Sequence, residues 1–271
     1  MTKFGPFETI LVDGPDEDGV LVITLNRPEK GNAATVEMYR EMGGVLRALR
    51  APDPAIGAVV ITGAGRMFSA GGDASMIQSF LDPEVSLQVM EEGVHFAKDV
   101  LSVRCPVIAA VNGHAMGWGA NLALFCDVVI MSDEARFADP HVKMGIVAGD
   151  GGALMWPLLV GPNRAKELLM TGDPLDGETA YRLGLVNHLV PAAEVLPKAL
   201  ELARRLATGP RHAIAWTKQC VNLPILQQAL ATIPLGNAHE ARTMAAADMV
   251  EGTAAFMEKR APRWPSADGR S

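Results

Sequence analysis

Short runs of apolar residues dominate the first half of the chain and indicate β-strands. Thr9 to Val12 and Val20 to Leu25 flank the segment DGPDEDG, whose Gly, Pro and Asp residues predict a hairpin turn. Three further runs are rich in apolar and β-branched residues and predict buried strands, namely Ala58 to Thr62, Val107 to Val111 and Val128 to Ile130.

Helical periodicity alternates with these strands. Helices are predicted from Thr35 to near Pro52, from about Pro83 to Ser102, and from Gly117 to Phe125. This alternation favours parallel βαβ connections. After residue 150 the strand signal fades, apart from Leu185 to Val190, and the other periodic segments predict helices: Arg164 to Met170, Glu178 to Leu183, Ala193 to Ala207 and most of 211–258. We therefore expect an α/β core over 1–195 and a helical C-terminal region over 196–271.

The composition and charge of the chain exclude several classes of protein. The chain has 271 residues, of which 49% are hydrophobic and 20% charged, so it can bury a substantial core. Its 24 Lys and Arg against 31 Asp and Glu give a net charge of −7. This acidity disfavours nucleic acid and an anionic membrane surface as main partners. Apolar runs are also too short to span a bilayer.

The cysteines and the N-terminus indicate the compartment. Cys105, Cys126 and Cys220 are odd in number and far apart, and they show no zinc-ligand spacing. This pattern predicts a reducing environment and no structural metal. The first ten residues hold neither the apolar segment of a secretory signal nor the arginines of an organellar one. We expect a soluble, cytoplasmic protein.

Two glycine-rich turns are the first candidates for chemistry. They are FSAGGD at 68–73 and NGHAMGWGAN at 112–121. Glycine lets a ligand approach the main chain closely, and a turn that opens a helix leaves N–H groups without internal partners. Two such groups aimed at one point would form an oxyanion hole. Either turn alone is better interpreted as an ordinary strand-to-helix connection. The P-loop, the complete dinucleotide fingerprint and the G-x-S-x-G elbow are absent from the sequence.

Several further segments occur in order with these turns. Together they resemble the crotonase family, the enoyl-CoA hydratase/isomerase superfamily, over nearly the whole chain. The resemblance rests on LNRPEKGNA at 25–33, FSAGGD at 68–73, PVIAAVNGHAMGWGANLALFCDVVI at 106–130, ARFADPHVKMGIVAGDGG at 135–152, LLMTGDPLDGETAYRLGLVNHLVP at 168–191 and FMEKR at 256–260.

The resemblance implies a crotonase-like spiral of ββα-like turns with a helical C-terminal trimerisation region. It implies an acyl-CoA thioester as substrate, with coenzyme A entering as part of it, no permanently bound cofactor, and a homotrimer or hexamer. The oxyanion-hole donors map onto the backbone N–H groups of Gly72 and Trp118. Adenine binding maps to Lys30 through Ala33 with Ala70 near the nucleotide, and Lys259 lies where a lysine can reach a CoA phosphate or simply remain a solvated charge.

Two family glutamates are replaced here, by Asn121 and His141. An amide neither gives nor takes a proton at neutral pH, although it can orient a water or a carbonyl. His141 is therefore the leading proton-transfer candidate, the alternative being a hydrogen bond to a neighbouring loop. Asp150 is either a catalytic acid or a helix cap. Asp139 is a possible partner of His141 from its two-residue spacing.

Other positions near the turns have simpler interpretations. His114 is expected to be structural, and Asp73 is expected to cap the helix after the first turn. Ser75 replaces a family lysine, which weakens one expected CoA contact. Trp118 replaces the usual glycine, and its indole either restricts the acyl pocket or packs against the core.

The reaction stays open at this level. A single histidine base suits double-bond isomerisation, or hydrolysis of a thioester or a β-keto carbon, while the oxyanion hole alone could support decarboxylation. The loss of both glutamates also leaves a non-catalytic acyl-CoA binder as an alternative. A serine peptidase is ranked last, because Ser69 and Ser75 show no nucleophile signature.

Overall fold

A six-stranded sheet forms the centre of the protein. The structure, a computed structural model, describes residues 4–73, Met76, Glu84 and 95–269. Numbered in chain order, the strands of this sheet are β1 (Ile10–Asp13), β2 (Val20–Leu25), β3 (Ala58–Gly63), β5 (Val107–Val111), β7 (Val128–Ser132) and β10 (His188–Val190). They lie in the order β1-β2-β3-β5-β7-β10, with β1 antiparallel to β2 and every other neighbouring pair parallel.

The strands of a second, smaller sheet lead into the glycine-rich turns. Its strands are β4 (Met67–Ser69), β6 (His114–Met116), β8 (Arg136–Ala138) and β9 (Leu175–Asp176), in the order β4-β6-β8-β9. Each of β4, β6 and β8 follows a strand of the large sheet, so the chain crosses repeatedly from one sheet to the other. This repeat agrees with the expected spiral. These strands have two or three residues, too few to show an alternating pattern in the sequence.

Helices cover both faces of the large sheet. Residues 95–102 are helical, and the numbered helices are α1 (Val36–Ala48), α2 (Trp118–Phe125), α3 (Gly152–Val160), α4 (Pro162–Thr171), α5 (Gly177–Arg182), α6 (Val195–Ala207), α7 (Arg211–Met244) and α8 (Ala247–Met257). On one face, α6 buries Val195, Ala199, Ala203 and Ala207, which share one helical stripe, in a cluster with side chains of β2, β3, β5 and β7. The larger core cluster includes α1, residues 95–102 and α2.

Most predicted elements are confirmed. The strands over 20–25 and 107–111 match residue for residue. The predicted strand over 185–190 is too long: only His188–Val190 pairs with β7. Leu185 and Val186 are buried in the connection after α5, where the Leu185 N–H bonds to the Ala180 carbonyl. The predicted helix over 83–102 lies partly outside the described residues.

The division at 195/196 stays a prediction, and it falls within the first turn of α6, which packs on the sheet. The helical C-terminal region beyond it exposes several large apolar side chains, namely Trp216, Val221, Leu223, Leu230 and Leu235 on α7 and Val250, Phe256 and Met257 on α8. The trimer or hexamer stays a prediction. Among the described residues, no helix has both the length and the hydropathy needed to cross a bilayer.

A buried ion pair fixes the first half of α7 to the central sheet. Lys218 Nζ donates to Asp127 Oδ2 at 2.6 Å and to the Cys105 carbonyl at 2.9 Å. Asp127 Oδ2 also accepts from the Val107 N–H at 2.7 Å. Burial raises the pKa of Asp127, and the Lys218 charge opposes this rise. Since the Lys218 side chain is only 7% exposed, neither charge is well solvated and each depends on the other.

We expect Lys218→Met to lower the free energy of unfolding by about 3 kcal/mol, because it leaves Asp127 buried without its cation. Lys198→Met is the matched control. Lys198 Nζ pairs with Glu201 Oε2 at 2.9 Å on the surface of α6. Such exposed pairs contribute only about 0–1 kcal/mol. Urea denaturation of both variants makes the comparison, and equal losses would contradict the assigned role of Lys218.

Candidate active site

The first glycine-rich turn presents the N–H of Gly72 without an internal partner. An isolated parallel bridge joins Ala34 to Gly72. In it the Ala34 N–H donates to the Gly71 carbonyl at 2.7 Å, and the Asp73 N–H donates to the Ala34 carbonyl at 2.8 Å. This pairing directs the Gly72 N–H away from Ala34, and it forms no hydrogen bond with another described residue. The N–H is available to a ligand.

The second turn presents the N–H of Trp118 in the same way. Gly117 precedes α2 and has a φ of 51°, a conformation that favours glycine. Its N–H donates to the Ala138 carbonyl at 2.9 Å, which ties the turn to the end of β8. Trp118 is the first residue of α2, so its N–H has no intrahelical acceptor. Within the described part of the chain it forms no other hydrogen bond.

The two turns contact each other and line a common cavity. A Cβ atom added at Gly117 would lie at van der Waals distance from both Gly71 Cα (3.8 Å) and His141 Cε1 (3.5 Å), so Gly117 lies close to the first turn and to the His141 ring. The cavity has a volume of about 390 Å³, and Gly72, Trp118 and His141 all line it. The structure therefore brings three of the predicted catalytic residues to one place.

His141 is held between two carboxylates. It begins a short 3-10 turn after β8, and its Nδ1–H donates to Asp139 Oδ1. On the other side of the ring, Nε2 lies 3.6 Å from Asp150 Oδ2. Burial alone would lower the pKa of His141, but the charges of Asp139 and Asp150 outweigh it and hold the pKa well above its ordinary value. The two carboxylates therefore favour the protonated form of the imidazole.

Asn121 holds both carboxylates in place from behind the cavity. Its Nδ2 donates to Asp139 Oδ2 at 2.9 Å and to Asp150 Oδ1 at 2.7 Å, and its Oδ1 accepts from Trp156 Nε1 at 3.2 Å. The side chain is buried, and both of its amide hydrogens are used. Asn121 is thus a positioning residue that orients two carboxylates, rather than a water or a carbonyl.

The two carboxylates have opposite pKa shifts. Burial raises the pKa of Asp139, but the charge and hydrogen bonds of His141, with the bond from Asn121, bring it below its ordinary value. Burial raises the pKa of Asp150, and His141 offsets this only in part. The interpretation of Asp150 as a helix cap is wrong, because α3 is capped by Gly151 without any side-chain bond. Its carboxylate faces Asn121 and His141 instead.

Glu240 is the cavity residue that sequence reasoning missed. It lies on α7, lines the cavity and is only 5% exposed. Burial, with the negative charge of Asp150, raises the pKa of Glu240 well above its ordinary value, while His141 acts in the opposite direction. The sequence does contain a pattern that could have singled out Glu240. It is the only acidic residue of α7, and it lies on the same helical stripe as Ile233, Asn237 and Met244.

The donor set fits an ion-paired cluster better than a metal centre. Asp139, His141 and Asp150 offer donor atoms within 4.8 Å of one another, a spacing that metal sites also show. Both ring nitrogens of His141 already face carboxylates, however, and Asn121 donates to each carboxylate. The three side chains therefore satisfy one another without an ion.

The predicted coenzyme A contacts lie mostly outside the cavity. Ala70 lines it, whereas Lys30 and Lys259 are exposed away from its walls and Ala33 is buried beside the first turn. Their roles stay predictions, and Ser75 lies outside the described residues. Instead of Lys259, its neighbours Phe256 and Met257 form part of the wall.

His114 and Asp73, which lie beside the two turns, each form a hydrogen bond with another segment. His114 Nδ1 accepts from the Arg136 N–H at 3.0 Å, which agrees with a structural role. Asp73 Oδ2 accepts from Arg27 Nη1 at 2.9 Å, a cross-link between two loops. The start of the helix that Asp73 was expected to cap lies outside the described residues.

Comparison with known proteins shows the family to which the chain belongs. The enoyl-CoA hydratase/isomerase family model matches residues 16–267. A probable enoyl-CoA hydratase of Mycobacterium leprae is 36% identical over 269 residues, covering 95% of this chain and 98% of that protein. The chain belongs to the enoyl-CoA hydratase/isomerase family.

Solved structures agree with this membership of the enoyl-CoA hydratase/isomerase, or crotonase, family. An enoyl-CoA hydratase/isomerase from Mycobacterium paratuberculosis superposes with a TM-score of 0.87 at 33% identity, covering 92% of this chain and 98% of that one. A β-diketone hydrolase from the cyanobacterium Anabaena superposes with a TM-score of 0.82 at 28% identity, covering 88% and 95%. The crotonase-like fold is thereby confirmed.

Trp118 of this crotonase-family chain forms a rigid wall of the cavity. Its ring packs at 5.1 Å from the ring of Tyr39 and at 5.7 Å from that of Phe96, measured between centroids, and the residue is 2% exposed. The structure shows that the indole packs in the core, and restriction of an acyl pocket by it stays a prediction. Its Nε1–H is buried without a hydrogen-bond partner among the described residues.

We expect Trp156→Phe to be more destabilising than Trp118→Phe, by about 1–3 kcal/mol. Both changes remove the same volume from buried sites. Only the first also removes a hydrogen bond, since it leaves Asn121 Oδ1 without the Trp156 donor. Chemical denaturation of the two variants measures the difference. A greater loss for Trp118→Phe would show that its indole N–H is paired.

Proposed function

We propose that this chain is an enzyme that acts on an acyl-CoA thioester through an enolate. The N–H groups of Gly72 and Trp118 bind the thioester oxygen, and His141 moves the proton. The observation that carries the proposal is the position of His141, close to Gly117 of the second turn and held between Asp139 and Asp150. The resemblance to acyl-CoA enzymes supplies the substrate class.

The chemistry follows from where charge develops. When a proton leaves the carbon next to a thioester, negative charge accumulates on the carbonyl oxygen. Fixed N–H donors stabilise that charge without solvent reorganisation, and each is worth about 2.7–4 kcal/mol of barrier. His141 accepts the proton in its neutral form. Because its pKa is raised above its ordinary value, that form becomes more abundant as the pH rises.

We expect His141→Ala to abolish hydrogen–deuterium exchange at the α-carbon of butyryl-CoA in deuterated water, because the imidazole that we assign as the base is removed. In the unsubstituted protein the exchange rate should rise with pH through the raised pKa of His141. Mass spectrometry measures the label, and calorimetry checks that butyryl-CoA still binds.

The matched control is His114→Ala, which removes an exposed histidine beside the same turn. It should leave the exchange unchanged. Exchange at the normal rate in His141→Ala would exclude His141 from the mechanism.

A hydrolytic reaction is the second candidate, and the two carboxylates around His141 favour it. A carboxylate on the far side of an imidazole orients the ring and stabilises the imidazolium that forms when water gives up a proton. The Anabaena structural relative is a β-diketone hydrolase. In such a step, His141 takes a proton from water and the hydroxide oxygen bonds to the β-keto carbon. The C–C bond then breaks, its electron pair forms the enolate, and a proton returns to the α-carbon.

The charge of the cavity disfavours decarboxylation. Asp150 and Glu240 line the cavity, Asp139 lies directly behind His141, and a substrate carboxylate would be repelled by each ionised member of this group. A substrate that is neutral at its reacting end fits better.

The reaction can be separated from its alternatives with a panel of thioesters in deuterated water. We expect 3-oxohexanoyl-CoA to be cleaved to butyrate and acetyl-CoA, with crotonyl-CoA and malonyl-CoA turned over much more slowly. Mass spectrometry identifies the products and the position of the label. Hydration of crotonyl-CoA as the fastest reaction would contradict the hydrolytic candidate, and tight binding with no turnover on any thioester would indicate a non-catalytic acyl-CoA binder.

A further inference from the structure

Glu240 comes to the cavity through a contact between two glycines. Gly236 on α7 and Gly149 in the loop before α3 meet backbone to backbone, since a Cβ atom added at Gly149 would lie 2.6 Å from the Gly236 carbonyl oxygen. The same atom would lie 2.5 Å from Glu240 Oε2. One turn later, Thr243 Oγ1 accepts from the Val147 N–H at 3.1 Å. This contact places the Glu240 carboxyl directly beside the loop that carries Asp150.

The surroundings of Glu240 favour the neutral form of its carboxyl. Apolar walls of the cavity come from Ile146, Met244 and Phe256, on three separate elements. The charged groups that face it are Asp150 from the loop, Asp139 and His141 from the segment after β8, and Lys143 at the cavity wall. Lys143 Nζ is already paired with Asp173 Oδ1 at 2.8 Å. With two carboxylates near and water largely excluded, burial and repulsion favour the protonated form.

A protonated carboxyl in such a cavity is a hydrogen-bond donor. It carries one O–H, and a buried donor is stable only when an acceptor meets it. A ketone oxygen is an acceptor without a proton of its own, and it carries no charge that the neighbouring carboxylates would repel. An ionised ligand group would face that repulsion, and a saturated acyl chain would leave the O–H unpaired.

We propose that Glu240 is a specificity-determining residue whose protonated carboxyl donates a hydrogen bond to the C3 ketone oxygen of a 3-oxoacyl thioester. This inference rests on the proposed function, and it deepens it by naming the substrate class. Glu240 then selects the substrate, while the N–H groups of Gly72 and Trp118 bind the thioester oxygen.

The test compares 3-oxohexanoyl-CoA with hexanoyl-CoA, which differ only at C3, a ketone in the first ester and a methylene in the second. Dissociation constants are measured by rapid-mixing tryptophan fluorescence from mildly acidic to mildly alkaline pH, before any turnover. We expect the unsubstituted protein to prefer the 3-oxo ester by about tenfold at low pH, the value of one hydrogen bond to a buried donor. The preference should fall as pH rises, because an ionised Glu240 repels the ketone oxygen.

Two substitutions of Glu240 separate the effect of its hydrogen-bond donor from the effect of its charge. Glu240→Gln keeps an N–H donor that does not titrate, so its preference should persist and become independent of pH. Glu240→Leu has no donor, and its preference should disappear. His239→Gln, at the exposed neighbouring position on α7, should behave like the unsubstituted protein. Circular dichroism checks that each variant is folded.

The outcomes distinguish this inference from the function it rests on. Equal affinity for the two esters at low pH, or a preference that survives in folded Glu240→Leu, overturns the role of Glu240 and leaves the proposed function intact. Binding of neither ester to the unsubstituted protein overturns the proposed function, and this inference with it.

Discussion

The candidate site depends on one buried amide. Asn121 donates both of its Nδ2 hydrogens to carboxylates that lie on opposite sides of the His141 ring, and Trp156 in turn fixes the amide orientation. Without this arrangement the two negative charges would have no shared donor in a region that water hardly reaches. Because Asn121 lies on the helix that begins at Trp118, the same element that exposes the Trp118 N–H also holds the two carboxylates around His141.

The pKa values of four neighbouring titratable groups shift in different directions. The pKa of Asp139 is lowered by the neighbouring His141, whose own pKa is raised, whereas the pKa values of Asp150 and Glu240 are raised by burial. Such divergence of pKa values among neighbouring groups is typical of catalytic sites. His141 and Asn121 between them contact both Asp139 and Asp150.

Sequence patterns predicted the large sheet well, because strands such as Val20–Leu25 and Val107–Val111 carry unbroken apolar runs. They could not predict the small sheet, whose strands are too short to show a period. The glycine-rich turns and His141 could be located from motifs near one another in the chain. Glu240 could not, because it is about ninety residues further along, and only the docking of α7 brings it to the cavity.

The contact between Gly149 and Gly236 has a consequence for how the site is assembled. During synthesis the N-terminal strands, both turns and the histidine emerge well before the last helices, so the core can condense while the cavity is still open on one side. The contact joins segments far apart in sequence and carries a high loop-closure cost. The cavity is therefore complete only when α7 lies against the loop before α3, and a chain shortened before α7 would present the N–H groups of Gly72 and Trp118 without that wall.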